Sequence, residues 1–161
     1  MTIKLLVVGK TDMSFVRDGL QLYQSRIGHY VSFQCQEIPA LKDQKGASPS
    51  LVKEREGALI LKAINANGSS GDRVILLDEH GKSFSSVGFA EYLQKQMNTG
   101  VRNITFVVGG SYGFAPEVYA AATDQISLSP MTFNHQMVRL FFAEQLYRAF
   151  TILKHEPYHN E

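Results

Sequence analysis

The chain has 161 residues, which suits one domain with one continuous core, and its 44% apolar and 19% charged residues are an ordinary globular balance. The formal net charge of +1 excludes a global electrostatic field that would draw the protein onto nucleic acid or an anionic membrane. Any binding to RNA must therefore use a local patch or an assembled surface.

The sequence also excludes several other classes of protein. Cys35 is the single cysteine, so no internal disulfide forms, which fits a reducing compartment. The start, Met1 to Lys10, lacks the basic-then-apolar layout of a signal peptide. No apolar run approaches the roughly 18 residues that a membrane span needs. We therefore expect a soluble cytoplasmic protein that does not bind a membrane.

Apolar periodicity predicts regular alternation of strands and helices. In the first half, the predicted elements are a strand over Ile3–Val8, a helix over Val16–Ile27 that stops at Gly28, a strand over Val31–Ile38, a loop over Pro39–Pro49 and a helix from Pro49 to about Ile64. Ser48 is the predicted N-cap of that second helix, since proline is favoured at the first helical position.

The second half continues the same alternation. Its predicted elements are a turn over Asn65–Asp72, a strand over Val74–Leu77, a helix marked by apolar residues 87, 89, 90, 93 and 97, a strand over Ile104–Val108, a short helix that opens at Pro116, a strand over Ile126–Leu128 and a helix through most of 135–154. This order predicts an α/β fold: a parallel sheet with helices on both sides, an α/β/α sandwich, in one domain over residues 1–161.

Gly81-Lys82-Ser83 resembles the end of a phosphate-binding P-loop. That loop needs another glycine five positions before its Gly-Lys pair, and this position is Leu76, inside a predicted strand. We therefore predict a polar turn here, and a nucleotide hydrolase is disfavoured.

Two loops follow predicted strands and suit a ligand. The Gly109–Gly113 turn is either a tight strand-to-helix turn that needs positive φ, or a ligand loop whose exposed backbone reads an adenine edge. Leu128–Phe133 is either a buried connection or an apolar slot for a flat, uncharged purine ring. At the carboxyl ends of parallel strands, such loops commonly bind ligands.

The last predicted helix is apolar almost all round, which favours a homodimer interface. Glu144 and Arg148 are four residues apart and are predicted to form a surface ion pair. Arg139 falls on a different face, where we expect it to be freer to meet a phosphate.

The late histidines His135, His155 and His159 lack metal-ligand spacing, and no zinc pattern exists, so we expect no metal site. A surface histidine is the ordinary interpretation of each. His135 and His159 remain candidates for proton transfer, because one adjoins a predicted ligand loop and the other lies near the free end.

Several motifs together resemble the ribosomal RNA large subunit methyltransferase H family, a minimal group of SPOUT methyltransferases. The resemblance runs almost end to end. It is carried by Lys4–Lys10, Leu76-Leu77-Asp78 with Gly81-Lys82, Gly109–Gly113, Leu128–Phe133, His135–Arg139, Glu144–Ala149 and Tyr158-His159.

The resemblance implies a deep trefoil knot near the carboxyl end, which no sequence pattern would predict. It implies a homodimer that binds S-adenosylmethionine in the knot and methylates N3 of a pseudouridine in a stem-loop of 23S ribosomal RNA. Carried over residue by residue, the cofactor-binding positions are Leu77, Gly109, Leu128, Ser129, Pro130, Met131, Thr132 and Phe133.

The same resemblance suggests how the reaction proceeds. A methyl group on a sulfonium needs no metal activation, but the imide proton of pseudouridine N3 must leave. The hypothesis is that His159 or His135 takes it, while Tyr158 and Arg139 orient the base or a phosphate. The tail is free to act across the dimer.

Two groups of basic residues are candidates for RNA binding, although ordinary solvated charge explains them equally well. They are Lys42, Lys45, Lys53, Arg55 and Lys62 in one loop–helix segment, and Arg139, Arg148 and Lys154 on the last helix. The alternative functions are methylation of another RNA such as transfer RNA, and a non-catalytic nucleotide-binding or RNA-binding module.

Overall fold

The computed structural model describes residues 1–66 and 71–160, and within them five strands alternate with five helices. In chain order these are β1 (Thr2–Val8), α1 (Ser14–Ile27), β2 (Ser32–Ile38), α2 (Pro49–Ala66), β3 (Arg73–Ser83), α3 (Ser86–Asn98), β4 (Asn103–Val108), α4 (Pro116–Ala121), β5 (Asp124–Ser127) and α5 (Met137–Leu153). The turn predicted over Asn65–Asp72 includes residues 67–70, which lie outside the described ranges.

The strands form one parallel sheet in the order β2-β1-β4-β3-β5. Successive side chains of a strand point to opposite faces, so Leu5 and Leu6 of β1 enter different apolar clusters. The cluster on one face includes residues of α1, α3 and α5, and the cluster on the other includes residues of α2 and α4. The predicted α/β architecture, with helices on both sides of a parallel sheet, is confirmed.

Local signals set most helix and strand ends as predicted. The backbone N–H of Leu51 donates to Ser48 Oγ at 3.2 Å, so Ser48 caps α2 at its predicted start. The last strand starts earlier than predicted, at Asp124, and ends at Ser127. It ends there because Ser127 Oγ donates to the carbonyl oxygen of Ser129 at 2.9 Å, which turns the chain into the following loop.

The polar turn predicted at Gly81-Lys82-Ser83 is wrong. The pairing of β3 with β5 shifts register after Leu77 and resumes with Lys82 opposite Ile126 and Ser83 opposite Ser127. Gly81 makes this possible because it lacks a side chain: a Cβ there would lie 2.6 Å from the backbone nitrogen of Ile126. Residues 81–83 therefore have a composition typical of turns but form part of β3, packed closely against β5.

The sheet brings the carboxyl ends of β4, β3 and β5 side by side at one edge. The loops that follow β4 and β5 meet there, next to the start of α5. Parallel sheets bind ligands at such edges. Among the described residues, no helix combines the length and apolarity needed to cross a membrane.

Candidate functional site

A cavity of about 660 Å³ opens at this edge of the sheet, a size that suits a nucleotide-like ligand. It is lined from four directions: residues 77–80 in the middle of β3, the turn after β4, the loop after β5, and residues of α2, α4 and α5. The walls mix backbone of a glycine turn with apolar and acidic side chains. The arrangement can therefore hold a flat ring and a cationic group together.

The structure brings together all of the sequence-predicted cofactor positions except Pro130. Those that line the cavity are Leu77, Gly109, Leu128, Ser129, Met131, Thr132 and Phe133. Pro130 is exposed, and its ring restricts the backbone φ of the loop without lining the cavity. The loop is shaped locally, since the backbone N–H of Met131 donates to Ser129 Oγ at 3.0 Å.

The interpretation of Gly109–Gly113 as a tight turn with positive φ is confirmed, and the ligand-loop interpretation stays a prediction. Gly113 has φ of 78° and its N–H donates to the Gly110 carbonyl at 3.2 Å, so the turn needs its glycine. The same five residues also line the cavity. Beneath the turn, a Cβ at Gly110 would overlap the carboxylate of Glu56, so this backbone lies directly on α2.

An acidic wall, which the sequence reasoning did not single out as lining the site, is formed by Asp78 and Glu79. The Asp78 side chain is only 7% exposed, accepts hydrogen bonds from the Tyr119 hydroxyl and from the N–H of His80, and lies 3.0 Å from His80 Nδ1. Burial raises the pKa of Asp78, but the hydrogen bonds from Tyr119 and His80 lower it by more, so the net shift is downward. Asp78 is therefore an ionised carboxylate that attracts a cationic ligand.

Glu79 joins the acidic wall to the loop after β5. Thr132 Oγ1 donates to Glu79 Oε2 at 3.0 Å, which connects two of the segments that line the cavity. The signal that could have identified these residues is their position: Asp78 and Glu79 directly follow the last apolar residue of the predicted strand, where parallel strands present ligand-binding groups.

The candidate histidines lie in different places. His135 is exposed and lines the cavity. His159 Nδ1 instead lies 3.2 Å from Arg148 Nη1, and the Tyr158 hydroxyl donates to Glu144 Oε1 at 3.0 Å. Arg148 is eleven positions beyond the start of α5, about 16 Å along the helix. Within one subunit, His159 is therefore not next to His135.

The expectation that Arg139 is free to meet a phosphate is wrong. Its side chain is 1% exposed, and its guanidinium donates to the carbonyl oxygens of Val8, Gly9 and His135 and to Thr11 Oγ1, at 2.8–3.1 Å. The pairing of β1 with β4 ends at Val7, and Arg139 donates to the carbonyl oxygens of the next two residues. It is a positioning residue that fixes the start of α5 beside the cavity.

The predicted ion pair of Glu144 and Arg148 is confirmed, with 2.6 Å between Glu144 Oε1 and Arg148 Nη2. It is less exposed than expected, since the tail covers it: the Arg148 guanidinium lies 4.8 Å from the centre of the Tyr158 ring. Within residues 1–66 and 71–160, no three His, Cys, Asp or Glu side chains converge to hold a metal ion.

Known proteins resemble this chain over its whole length. A family model described as a predicted SPOUT methyltransferase matches residues 1–159. Proteins named ribosomal RNA large subunit methyltransferase H from Christiangramia forsetii and Flavobacterium johnsoniae are 54% and 52% identical to it, over 99% and 100% of both chains. The protein of that name from Parabacteroides distasonis is 50% identical over 100% of both chains. The chain therefore belongs to the SPOUT methyltransferase family, in the group of the ribosomal RNA large subunit methyltransferase H proteins.

Proposed function

We propose that this protein, as a single domain over residues 1–161, transfers a methyl group from S-adenosylmethionine to N3 of a pseudouridine in a stem-loop of 23S ribosomal RNA. The observation that carries the proposal is the convergence of the Gly109–Gly113 turn and the Leu128–Phe133 loop on one cavity. The names of the full-length relatives support a large-subunit ribosomal RNA as the substrate. A ribosomal substrate would be met in the cytoplasm.

The cavity fits the proposed cofactor chemically. Gly109 and Leu128 line the cavity, so their backbone groups can face an adenine edge. The Phe114 ring packs beside Gly109: a Cβ on Gly109 would lie 3.1 Å from that ring. The ionised carboxylate of Asp78 suits a cationic ligand. When bound, S-adenosylmethionine supplies a methyl group on a positively charged sulfur.

The protein's own groups must then hold the base in line and receive its proton. Correct orientation alone supplies several kcal/mol of barrier lowering. His135 lines the cavity and is exposed, so it is placed to accept the imide proton of an incoming base. Arg139 helps to position His135, because Arg139 Nε donates to the backbone carbonyl of His135 at 3.0 Å.

We propose a homodimer in which the tail of one subunit completes the cavity of the other. Phe15 and Leu22 on α1 and Phe141 on α5 are 57%, 49% and 42% exposed, so each is available to a second subunit. Phe141 lies 5.0 Å, centre to centre, from the Phe133 ring at the cavity. In a dimer whose two α5 helices pack antiparallel over Phe141, the Tyr158 and His159 of the second copy, which follow the other end of that helix, would approach this site.

We also propose the trefoil knot. The support comes from the family to which the chain belongs, since the resemblance to it implies a knot near the carboxyl end. In β3, the pairing of Ile126 with both Leu77 and Lys82 marks an irregularity over residues 78–81, next to the proposed cofactor site.

The test uses ribosomes from a strain that lacks the modification, the purified protein and labelled S-adenosylmethionine. We expect methylated pseudouridine in 23S ribosomal RNA by mass spectrometry, and cofactor uptake by calorimetry. Uptake without product favours the non-catalytic module, and product only on transfer RNA favours the alternative substrate. Absence of both uptake and product contradicts the proposal.

Single-turnover rates assign the proton acceptor. His135→Ala and His159→Ala are compared with His155→Ala, since His155 lies beyond α5 and does not line the cavity. We expect a loss of about 10²–10⁴-fold for the variant that removes the base. Rates near wild type for both His135→Ala and His159→Ala would remove histidine from the chemistry.

A further inference from the structure

The ring of Tyr112 is displayed at the mouth of the cavity. It sits in the Gly110–Gly113 turn, lines the cavity and is 52% exposed. No hydrogen bond or ring contact joins it to any residue within the described ranges 1–66 and 71–160. An aromatic ring held at a site entrance without internal partners is available to a ligand.

A cation lies on the same side of the mouth. Gly57 allows α2 to approach so closely that a Cβ there would lie 2.8 Å from Ala115 Cβ, and this contact holds α2 beneath the glycine turn. Glu56 touches Gly110, and Lys53 lies one turn earlier on the same helix face. Among the lining residues within the described ranges 1–66 and 71–160, Lys53 is the only lysine or arginine.

The charged side chains that line the cavity differ in sign. Asp78 and Glu79 are contributed by the middle of β3 and Lys53 by α2, so a phosphate is favoured next to Lys53 rather than next to the two carboxylates. The loop after β5 carries Met131, which is 76% exposed. Tyr112 and Met131 both line the cavity, on the loops that follow β4 and β5, the two neighbours of β3 in the sheet.

We propose that Tyr112 and Lys53 form a nucleotide subsite for the RNA substrate, in which the Tyr112 ring stacks on an unpaired base and the Lys53 ammonium contacts an adjoining phosphate. Proteins that recognise RNA loops bind splayed-out bases in this way, on aromatic rings and with nearby cations. The inference rests on the proposed function, and it adds the residues that select an unstacked RNA segment over a duplex.

The ring is tested with Tyr112→Phe, Tyr112→Leu and Tyr112→Ala on unmodified ribosomes. We expect Tyr112→Ala to raise the KM for ribosomes by about 5- to 100-fold, as loss of one stacked base does. Tyr112→Leu should lie near Tyr112→Ala, since it keeps apolar bulk without a π face, and Tyr112→Phe should lie near wild type. The calorimetric Kd for S-adenosylmethionine should change less than twofold in all three.

The proposed contact of Lys53 with a phosphate is tested by the salt dependence of the affinity for ribosomes. Lys53→Gln should reduce the slope of log affinity for ribosomes against log salt by about 0.7–0.9, the value for one phosphate contact, whereas Tyr112→Ala should leave the slope unchanged. The matched control is Lys95→Gln on α3, which removes one exposed charge on the other side of the sheet and should leave the slope at its wild-type value.

Three results would overturn the subsite. The first is an unchanged KM for ribosomes in Tyr112→Ala. The second is an equal loss of cofactor affinity, which would assign the ring to the cofactor. The third is a change of oligomeric state by sedimentation, which would assign it to a subunit contact. A wild-type protein without methylation activity would instead refute the proposed function, so the two failures are distinguishable.

Discussion

The hydroxyl of Tyr158 donates a hydrogen bond of 3.0 Å to Glu144 Oε1, which ties the carboxyl-terminal tail back onto α5. Burial, together with hydrogen bonds to Tyr23 and Glu144, raises the pKa of Tyr158, so the phenol remains a donor at neutral pH. The tail is thus held in a defined position on its own subunit. In the proposed homodimer, the tail would reach the second subunit from this position.

Tyr158→Phe is expected to loosen the tail without removing its ring contacts. The variant keeps the edge contact with Tyr147, whose ring centre is 4.8 Å away, and loses the hydrogen bond. We expect the free energy of unfolding to fall by about 1 kcal/mol and the single-turnover rate to fall about tenfold. Tyr23→Phe, which removes only a marginal 3.5 Å contact with Tyr158, is the control and should keep the wild-type rate. Equal rates in the two variants would contradict a positioned tail.

Arg139→Met is expected to damage folding and function together. The substitution leaves the Val8, Gly9 and His135 carbonyls and the Thr11 hydroxyl without their donor, and each unsatisfied buried group costs about 1–3 kcal/mol. We expect a loss of at least about 3 kcal/mol in unfolding free energy by urea denaturation, with a parallel loss of cofactor affinity.

Arg139→Lys supplies the comparison for this position. It keeps the charge but has fewer donors in a different geometry, so its loss of stability should be intermediate. A stable Arg139→Met variant with normal cofactor binding and lost methylation would contradict the structural role and restore a direct contact with RNA.

Tyr119→Phe is expected to change the pH dependence of stability through Asp78. Because its hydrogen bonds lower the folded-state pKa of Asp78 below the ordinary value of about 3.9, the ionised form stabilises the fold. That contribution is fully present above the ordinary value and is lost as the pH falls through the lowered one. The difference in unfolding free energy between wild type and Tyr119→Phe should therefore be about 1.5–3 kcal/mol at pH 7 and shrink below about pH 4.

A double-mutant cycle isolates this pair. In an Asp78→Asn background, Tyr119→Phe should produce a difference that does not vary between pH 7 and pH 3, since the titrating group is gone. The pKa of Tyr119 is raised to about 12, by burial first and then by Asp78, so the phenol does not titrate in this range. A difference that persists unchanged at pH 3 in the presence of Asp78 would contradict the assignment.

The sequence predicts the architecture well because its signals are local. Apolar runs such as Ile3–Val8 and the capping pair Ser48-Pro49 determine their elements without reference to distant residues, and the parallel sheet follows from their alternation. The loops at 109–113 and 128–133 were identifiable for the same reason, since they directly follow strands.

What the sequence does not reveal depends on distant contacts. Arg139 resembles a free cation on a helical wheel, and only the fold shows that the end of β1 surrounds it. Gly81-Lys82-Ser83 has turn composition, yet β5, more than 40 residues later, converts it to strand. Asp78 and Tyr119 are also 41 positions apart, so no spacing rule connects them. In each case, tertiary context overrides local preference.

Gly81→Ala is expected to disturb the pairing of β3 and β5. A Cβ at this position would lie 2.6–2.7 Å from backbone atoms of Gln125 and Ile126, and backbone cannot move aside as a flexible side chain can. Overpacking of this kind costs about 1–3 kcal/mol, and more where the chain cannot shift. We expect a lower midpoint in urea and weaker cofactor binding, because β5 leads directly into the loop at 128–133.

The control is Gly88→Ala within α3, where the nearest atom, Ser85 Oγ, is 3.2 Å away and a helical alanine is favoured by up to about 1 kcal/mol. If Gly81→Ala unfolds at the wild-type midpoint, the close approach of Gly81 to the backbone of β5 does not contribute to stability, which contradicts the prediction.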